Sequence, residues 1–349
     1  LKDNEYIDLF EKEINKDNLN LTAGRSVACV DRKGDGMYGF YVANYGGPTR
    51  FYEMSNKKII DKASELGLDK ITGGRSVVSG HILSNNIDIF AANERGSNFL
   101  YKNVDGIFFD MAASQRVLDT YQNGRGTVLS DILYRGNLDI INGNWDGYHR
   151  LFVKRENFFE DIATSPFNTP SKIRTVISAD FDNDGFDEVF MNNIGEPNKL
   201  FKILDNGKVK EISIKTALEP NGLGTGAAVA DIDNDGILEL LISHGEVGLQ
   251  KLTLYKANIV KKKNFIRIKP LNKNGAPARG ATVTLISNKR KHAKTIDSGS
   301  GYLCQMEPVA HYGIRDKEED FLVKIRWTNG EENTYKINEV GKTYTYTQK

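Results

Sequence analysis

A chain of 349 residues, 39% hydrophobic and 27% charged, has ordinary folded-protein composition and is long enough for two domains. No apolar run approaches the roughly 18 residues a membrane helix needs, and two cysteines, Cys29 and Cys304, are too few for a disulfide framework. The net charge of +1 hides an asymmetry: 18 lysines and arginines face 9 acids from Asn258 onward, against 29 and 37 before it. An acidic body thus carries a basic tail, suited to a domain interface or to docking on an anionic partner.

The opening Leu1-Lys2-Asp3-Asn4-Glu5 has neither initiator methionine nor apolar signal core, and reads as a processed chain whose signal peptide has been removed. Tyr6-Ile7-Asp8-Leu9-Phe10 follows, an aromatic and acidic strand-like segment. A unit of about fifty residues then repeats. Gly24-Arg25-Ser26-Val27, Gly74-Arg75-Ser76-Val77, Gly124-Arg125-Gly126-Thr127 and Ile173-Arg174-Thr175-Val176 open four units, and Gly224-Thr225-Gly226-Ala227 opens a fifth. Each runs from a short apolar strand through a Gly/Asp/Asn turn to a second strand, then to a third carrying aromatics, as in Arg50-Phe51-Tyr52 or Lys199-Leu200-Phe201. A fourth strand is clearest at Ile107-Phe108-Phe109-Asp110 and Phe158-Phe159-Glu160-Asp161. Four short strands per repeat at this period predict the blades of a β-propeller. The fifth unit lacks its fourth strand. Residues 6–10 are expected to supply it, closing a five-bladed ring with the N-terminal strand and removing an exposed sheet edge.

In the fourth and fifth units the turn between first and second strands reads Asp180-Phe181-Asp182-Asn183-Asp184-Gly185-Phe186-Asp187-Glu188 and Asp231-Ile232-Asp233-Asn234-Asp235-Gly236-Ile237-Leu238-Glu239. Carboxylates at positions 1, 3 and 5 of a turn tightened by glycine converge on one point. Such crowding calls for a cation, and Ca²⁺ takes six to eight hard oxygens. Two calcium ions are expected. One set is Asp180, Asp182, Asp184, the carbonyl of Phe186 and Glu188; the other is Asp231, Asp233, Asp235, the carbonyl of Ile237 and Glu239. An EF-hand would need glutamate at position 12, where Met191 and Ile242 stand. The first and third turns place Lys33 and Arg135 among their acids, and these cations are expected to replace the metal. The second turn, from His81 to Asp88, is one residue shorter and is expected to bind nothing.

Arg25, Arg75, Arg125 and Arg174 each stand six residues before the first turn position, with Thr225 there in the fifth unit. On innermost strands they would gather about the axis, where guanidiniums suit a carboxylate or phosphate; the alternative is pairing with acids of neighbouring blades. There is no P-loop, no HExxH and no Gly-x-Ser-x-Gly, and Gly222-Leu223-Gly224-Thr225-Gly226-Ala227 precedes a strand instead of opening a helix. No catalytic residue is assigned, and no enzyme is expected. The basic runs Lys261-Lys262-Lys263 and Lys289-Arg290-Lys291-His292 lack interleaved aromatics, which argues against nucleic acid.

The all-β reading divides into residues 1–258, the propeller, and 259–349, a small β-sandwich-like domain with alternating strands. Asn264-Phe265-Ile266-Arg267-Ile268, Ser298-Gly299-Ser300-Gly301-Tyr302-Leu303-Cys304-Gln305, His311-Tyr312-Gly313-Ile314 and Val323-Lys324-Ile325-Arg326-Trp327 resemble an ASPIC/UnbV domain, with Cys304 where that family usually has serine. The repeats resemble the FG-GAP/VCBS type that precedes this domain in the cartilage acidic protein family and its bacterial relatives. The resemblance implies a secreted or periplasmic calcium-binding propeller with no established catalytic residues. With no EGF-like cysteine module following, the chain looks like the shorter, microbial form. The expected function is recognition or adhesion toward a protein or glycan. The alternatives are an accessory subunit of an envelope or photosynthetic-membrane assembly, and an enzyme holding an anionic substrate on the axial arginines.

Overall fold

Period-two alternation of apolar residues builds antiparallel sheets in chain order. The structure, a computed structural model, describes residues 6–246, 248–259, 264–299 and 301–349; Lys261-Lys262-Lys263 lie outside them. The first blade holds β1 (Ala23–Val30), β2 (Gly39–Pro48), β3 (Arg50–Ser55) and β4 (Lys58–Asp61). The second holds β5 (Ile71–Gly80), β6 (Asp88–Asn93), β7 (Phe99–Val104) and β8 (Ile107–Asp110). The third is β9 (Gly124–Ser130), β10 (Asp139–Asn144), β11 (Arg150–Lys154) and β12 (Phe159–Asp161); the fourth is β13 (Ile173–Ala179), β14 (Glu188–Asn193), β15 (Lys199–Ile203) and β16 (Val209–Glu211). The fifth has β17 (Gly224–Ala230), β18 (Glu239–His244) and β19 (Thr253–Lys256). These are five propeller blades.

Blades pack face to face through alternate residues. Ala28, Val30, Tyr41, Ala43 and Phe51 of the first bury against Val77, Ile89, Ala91 and Tyr101 of the second. Innermost strands neighbour one another in the order β1, β5, β9, β13, β17. A β-bulge interrupts each of them, and the extra residue is Arg25, Arg75, Arg125, Arg174 or Thr225. A bulge re-aims its side chain, so one residue per repeat turns toward the same mouth. The second strands end alike: Asn44, Asn93, Asn144 and Asn193 each donate through Nδ2 to the carbonyl four residues on, at 2.6, 2.7, 2.7 and 2.6 Å. These bonds fix the hairpins leading to the third strands.

The C-terminal region adds β20 (Phe265–Leu271), β21 (Thr282–Ile286), β22 (Lys291–Thr295), β23 (Cys304–Met306), β24 (Ala310–Gly313), β25 (Leu322–Arg326), β26 (Glu332–Lys336) and β27 (Lys342–Thr347). Sheets β24-β20-β27 and β22-β21-β25-β26 close on one core that includes Ile266, Ile268, Val283, Tyr312, Ile325 and Trp327. Strand β23 leaves both sheets and pairs in parallel with β17 inside the fifth blade. The chain leading to it crosses the inner strands in turn. Cys29 N–H donates to Ser298 O at 2.5 Å, Gly301 N–H to Val77 O at 3.1 Å, Thr175 Oγ1 to Tyr302 O at 2.9 Å and Ala227 N–H to Leu303 O at 3.1 Å.

The expected closure by the N-terminal strand is corrected. Residues 6–10 form no strand and lie on the first blade, not the fifth: Phe10 meets the Tyr52 ring edge-on at 5.3 Å. The 3₁₀ turn Glu13–Asn18 then caps β4, with Asn15 Oδ1 accepting from Ile59 N–H and Asn18 Oδ1 from Asp61 N–H. Two satisfied amides at a sheet edge hold the segment there. Among the described residues, no apolar core joins the first and fifth blades as one joins each other neighbouring pair. Phe40 and Met54 on one, Leu252 and Leu254 on the other, stay about half exposed or more.

Candidate metal centres

Each blade turns from its first to its second strand at the same mouth, and four of these five turns share one device. The position-one carboxylate accepts from backbone N–H groups four or five residues on: Asp31 from Asp35 and Gly36, Asp131 from Arg135 and Gly136, Asp180 from Asp184 and Gly185, Asp231 from Gly236. Glycine at position six follows from its backbone, with φ of +85° at Gly185 and +83° at Gly236, which side chains rarely tolerate.

In the fourth blade, oxygens of Asp180, Asp182 and Glu188 lie within 4.8 Å of one another; in the fifth, those of Asp231, Asp233 and Glu239 do. Asp184 and Asp235 reach the same clusters, and their Oδ1 atoms accept from Phe186 and Ile237 N–H at 3.1 and 2.9 Å. A lysine directly across the sheet completes each set. Lys202 Nζ is 3.0, 2.6 and 2.7 Å from Asp182, Asp184 and Glu188. Lys256 Nζ is 2.8, 3.0 and 2.6 Å from Asp233, Asp235 and Glu239. In the fourth blade one ammonium faces four acids, of which Asp180 and Glu188 are buried; in the fifth the Arg267 guanidinium adds a second cation, on Asp231. Burial, with Asp187 beside it, pushes Asp180 up to about 7, and burial with Asp180 beside it raises Glu188 well above the usual range. Asp231 Oδ1 is buried with no hydrogen-bond partner among the described residues. All-carboxylate sets with an orphaned oxygen fit a hard divalent cation. The two clusters can hold metal ions.

The other turns differ. No ion pair among the described residues joins Lys33 or Arg135 to its own turn; the main-chain amides named above already satisfy Asp31 and Asp131, and Arg32 pairs with Glu53 at 2.5 Å instead. In the second turn Asp88 collects Ile82, Leu83 and Ser84 N–H.

All five turns also touch the C-terminal region through their first residue. Thr328 Oγ1 donates to Asp31 at 2.6 Å, and His81 Nδ1 meets Thr282 Oγ1 at 2.9 Å. Ala293 N–H donates to Asp131 at 2.9 Å, Gly313 N–H donates to Asp180 at 3.0 Å, and Arg267 pairs with Asp231. The charge split suggested an interface but not this fivefold docking, and Lys202 and Lys256 were missed, although their place opposite the position-nine glutamates follows from strand register.

At the opposite mouth the bulged arginines do gather, but against the chain's own groups. Arg75 and Arg125 donate to one oxygen of Glu94 at 2.5 and 3.0 Å, and Arg174 pairs with Glu246. Tyr45 lies under Arg75 and Arg25 at 4.4 and 5.8 Å, Trp145 under Arg125 and Arg174 at 4.5 and 4.9 Å. Carboxylates of this chain hold the places an anionic ligand would take on three of the four.

Residues 180–242 match the family described as FG-GAP-like repeat, and residues 271–349 match ASPIC and UnbV. Cartilage acidic protein 1 of Xenopus tropicalis is 45% identical over 362 residues, covering 95% of this chain and 56% of the relative. The Homo sapiens protein of that name is 44% identical over 359 residues, covering 94% and 54%. The chain thus spans about half the length of these relatives. Among solved structures, the BP39L lectin from Burkholderia pseudomallei gives a TM-score of 0.45 at 12% identity, over 93% of this chain and 89% of that one. No helix of the described residues is long and apolar enough to cross a membrane.

Proposed function

Since this FG-GAP-repeat propeller with its ASPIC/UnbV domain belongs, over the span it shares, to the cartilage acidic protein family, we propose that it is a calcium-stiffened recognition module. It binds a protein or glycan partner outside the cytoplasm and catalyses nothing. Asp180, Asp182, Asp184, Glu188 and the Phe186 carbonyl hold one calcium ion; Asp231, Asp233, Asp235, Glu239 and the Ile237 carbonyl hold the other. When bound, calcium supplies charge balance and rigidity.

The contrast between the two mouths carries this reading. One is covered by the C-terminal region at every turn, so metal there serves the scaffold. The other holds the arginine and aromatic array, with Arg75, Arg125 and Arg174 buried, Arg25 exposed and a rim of Tyr121 and Tyr148, 97% and 54% exposed, and with Gln122 Oε1 accepting from Tyr148 N–H at 3.0 Å. Tyrosine, tryptophan and arginine dominate binding hot spots. An immobilised chain screened against a glycan array and a panel of secreted proteins is expected to yield hits that Tyr121→Ala with Tyr148→Ala weakens at least tenfold. Hits that persist undiminished in that variant remove this mouth from consideration.

A further inference from the structure

Charge changes sign around the ring of first turns. The fourth and fifth blades present acids there, whereas the third presents Arg135 and the second a buried His81 that desolvation keeps neutral, lowered to about 3. Opposite these two turns the C-terminal region lays the polar face of β21 and β25, on which Thr284 pairs with Lys324 and Thr282 with Arg326. Lys291, at the start of β22, is bridged through its main chain to Arg135. Lys154, ending β11, completes the wall with Nζ donating to Ile82 O at 2.5 Å. Between them lies a cleft of about 430 Å³ lined by Arg135, Lys154, Lys291, Lys324 and Arg326, with no carboxylate among its lining residues.

The acids nearby offset this charge only in part. Glu332, on β26, bonds Arg326 at 2.7 Å and Lys324 at 3.2 Å from outside the cleft. Asp88 and Asp139 are buried beneath, and their oxygens take backbone N–H groups of Ile82, Leu83, Asn103, Ile132 and Lys154. Arg135 and Lys291 are exposed and form no ion pair among the described residues. Five cations held from two sides of a concave site, with one paired acid between two of them, raise local anion concentration, and the guanidinium fork of Arg135 matches a tetrahedral oxyanion in bidentate fashion.

We propose that this cleft binds a small ligand through a sulfate or phosphate ester group, with Arg135 on the propeller side and Lys291 and Arg326 on the other. A volume of this size also admits the sugar or short chain bearing the ester. The proposal is independent of the recognition reading above. Its test is calorimetric titration of the intact chain at low salt with inorganic sulfate, inorganic phosphate, N-acetylglucosamine 6-sulfate and glucose 6-phosphate. Saturable binding at one site is expected for at least one ester. Arg135→Gln with Lys291→Gln should weaken it at least tenfold, and Lys208→Gln with Lys210→Gln, which removes equal charge from exposed sites on the fourth blade, should leave it unchanged. Both pairs are solvent-facing, and equal melting temperatures verify folding. Absence of saturable binding by all four probes, or equal loss in both double variants, overturns the proposal.

Discussion

At each candidate metal centre the lysine opposite the position-nine glutamate governs behaviour without metal. An ammonium and a divalent ion compete for the same carboxylates, and the ion carries twice the charge. Lys202→Met and Lys256→Met are expected to tighten calcium binding about tenfold each and to lower the metal-free melting temperature by several degrees. Titration after chelation should count two ions in the unsubstituted chain. Unchanged affinity in both variants, or a count of zero or five, contradicts the assignment. A second residue test concerns His149. Its Nδ1 accepts from Asn144 N–H at 3.1 Å, as Asn98 and Asn198 do for Asn93 and Asn193 in their blades, so neutral His149 carries its proton on Nε2, toward Ser171 Oγ. Burial lowers it to about 3. The unfolded chain therefore binds a proton that the folded one refuses: this part of the stability is present above pH ~6.5 and lost as pH falls toward 3. His149→Asn keeps the acceptor and removes the proton. Its stability relative to the unsubstituted chain should rise by about 1.4 kcal/mol per pH unit below ~6.5; parallel pH profiles would contradict it.

Blades and turns are the next scale, and their glycines separate two kinds of turn. A Cβ at Gly236 would collide with the Phe265 ring of β20 and would need φ of +83°, whereas Gly275, at +79°, has nothing within 4 Å. Gly275→Ala should cost about 1 kcal/mol of backbone strain alone. Gly236→Ala should cost more than about 3, since it also wedges the C-terminal region off the fifth turn; comparable losses in denaturant midpoint would mean that this contact matters little. The repeats, their strands and the acidic turns were legible because period-two alternation and Asp-x-Asp-x-Asp-Gly spacing are local properties. What a strand pairs with is not local. Residues 6–10 carry a fourth-strand pattern yet dock through asparagine caps on β4, and Cys304-Gln305-Met306, too short to show alternation, crosses from its own region into the fifth blade. The arginines were visible, but Glu94 and Glu246, which hold three of them, sit in loops that the repeat pattern does not register.

For the whole molecule, the decisive question is whether propeller and C-terminal region unfold together. Five turns are tethered by their first residues, β23 completes a sheet of the fifth blade, and Ser298, Gly301, Tyr302 and Leu303 bond to inner strands. Deep in the same interface Lys294 Nζ sits 2.6 Å from Asp187, with His292 at 3.3 Å. Though burial opposes ionisation, the Lys294 ammonium holds Asp187 well below the usual carboxylate range, while burial keeps His292 neutral at about 3, and separating the regions would break the Lys294–Asp187 pair. Opening the interface thus exposes a charge pair, strips a strand from a sheet and breaks the bonds to the inner strands at once, which leaves no inexpensive partly unfolded state. The chain carries two tryptophans, one in each region: Trp145 beside the arginine array and Trp327, fully buried in the C-terminal core. Trp145→Phe leaves Trp327 as sole reporter; Trp327→Phe leaves Trp145. Within each variant, fluorescence and far-ultraviolet circular dichroism should give coincident denaturant midpoints. If Trp327 reports unfolding while circular dichroism retains the propeller's share of strand signal, the regions are independent, and the docking at the five turns contributes little to stability.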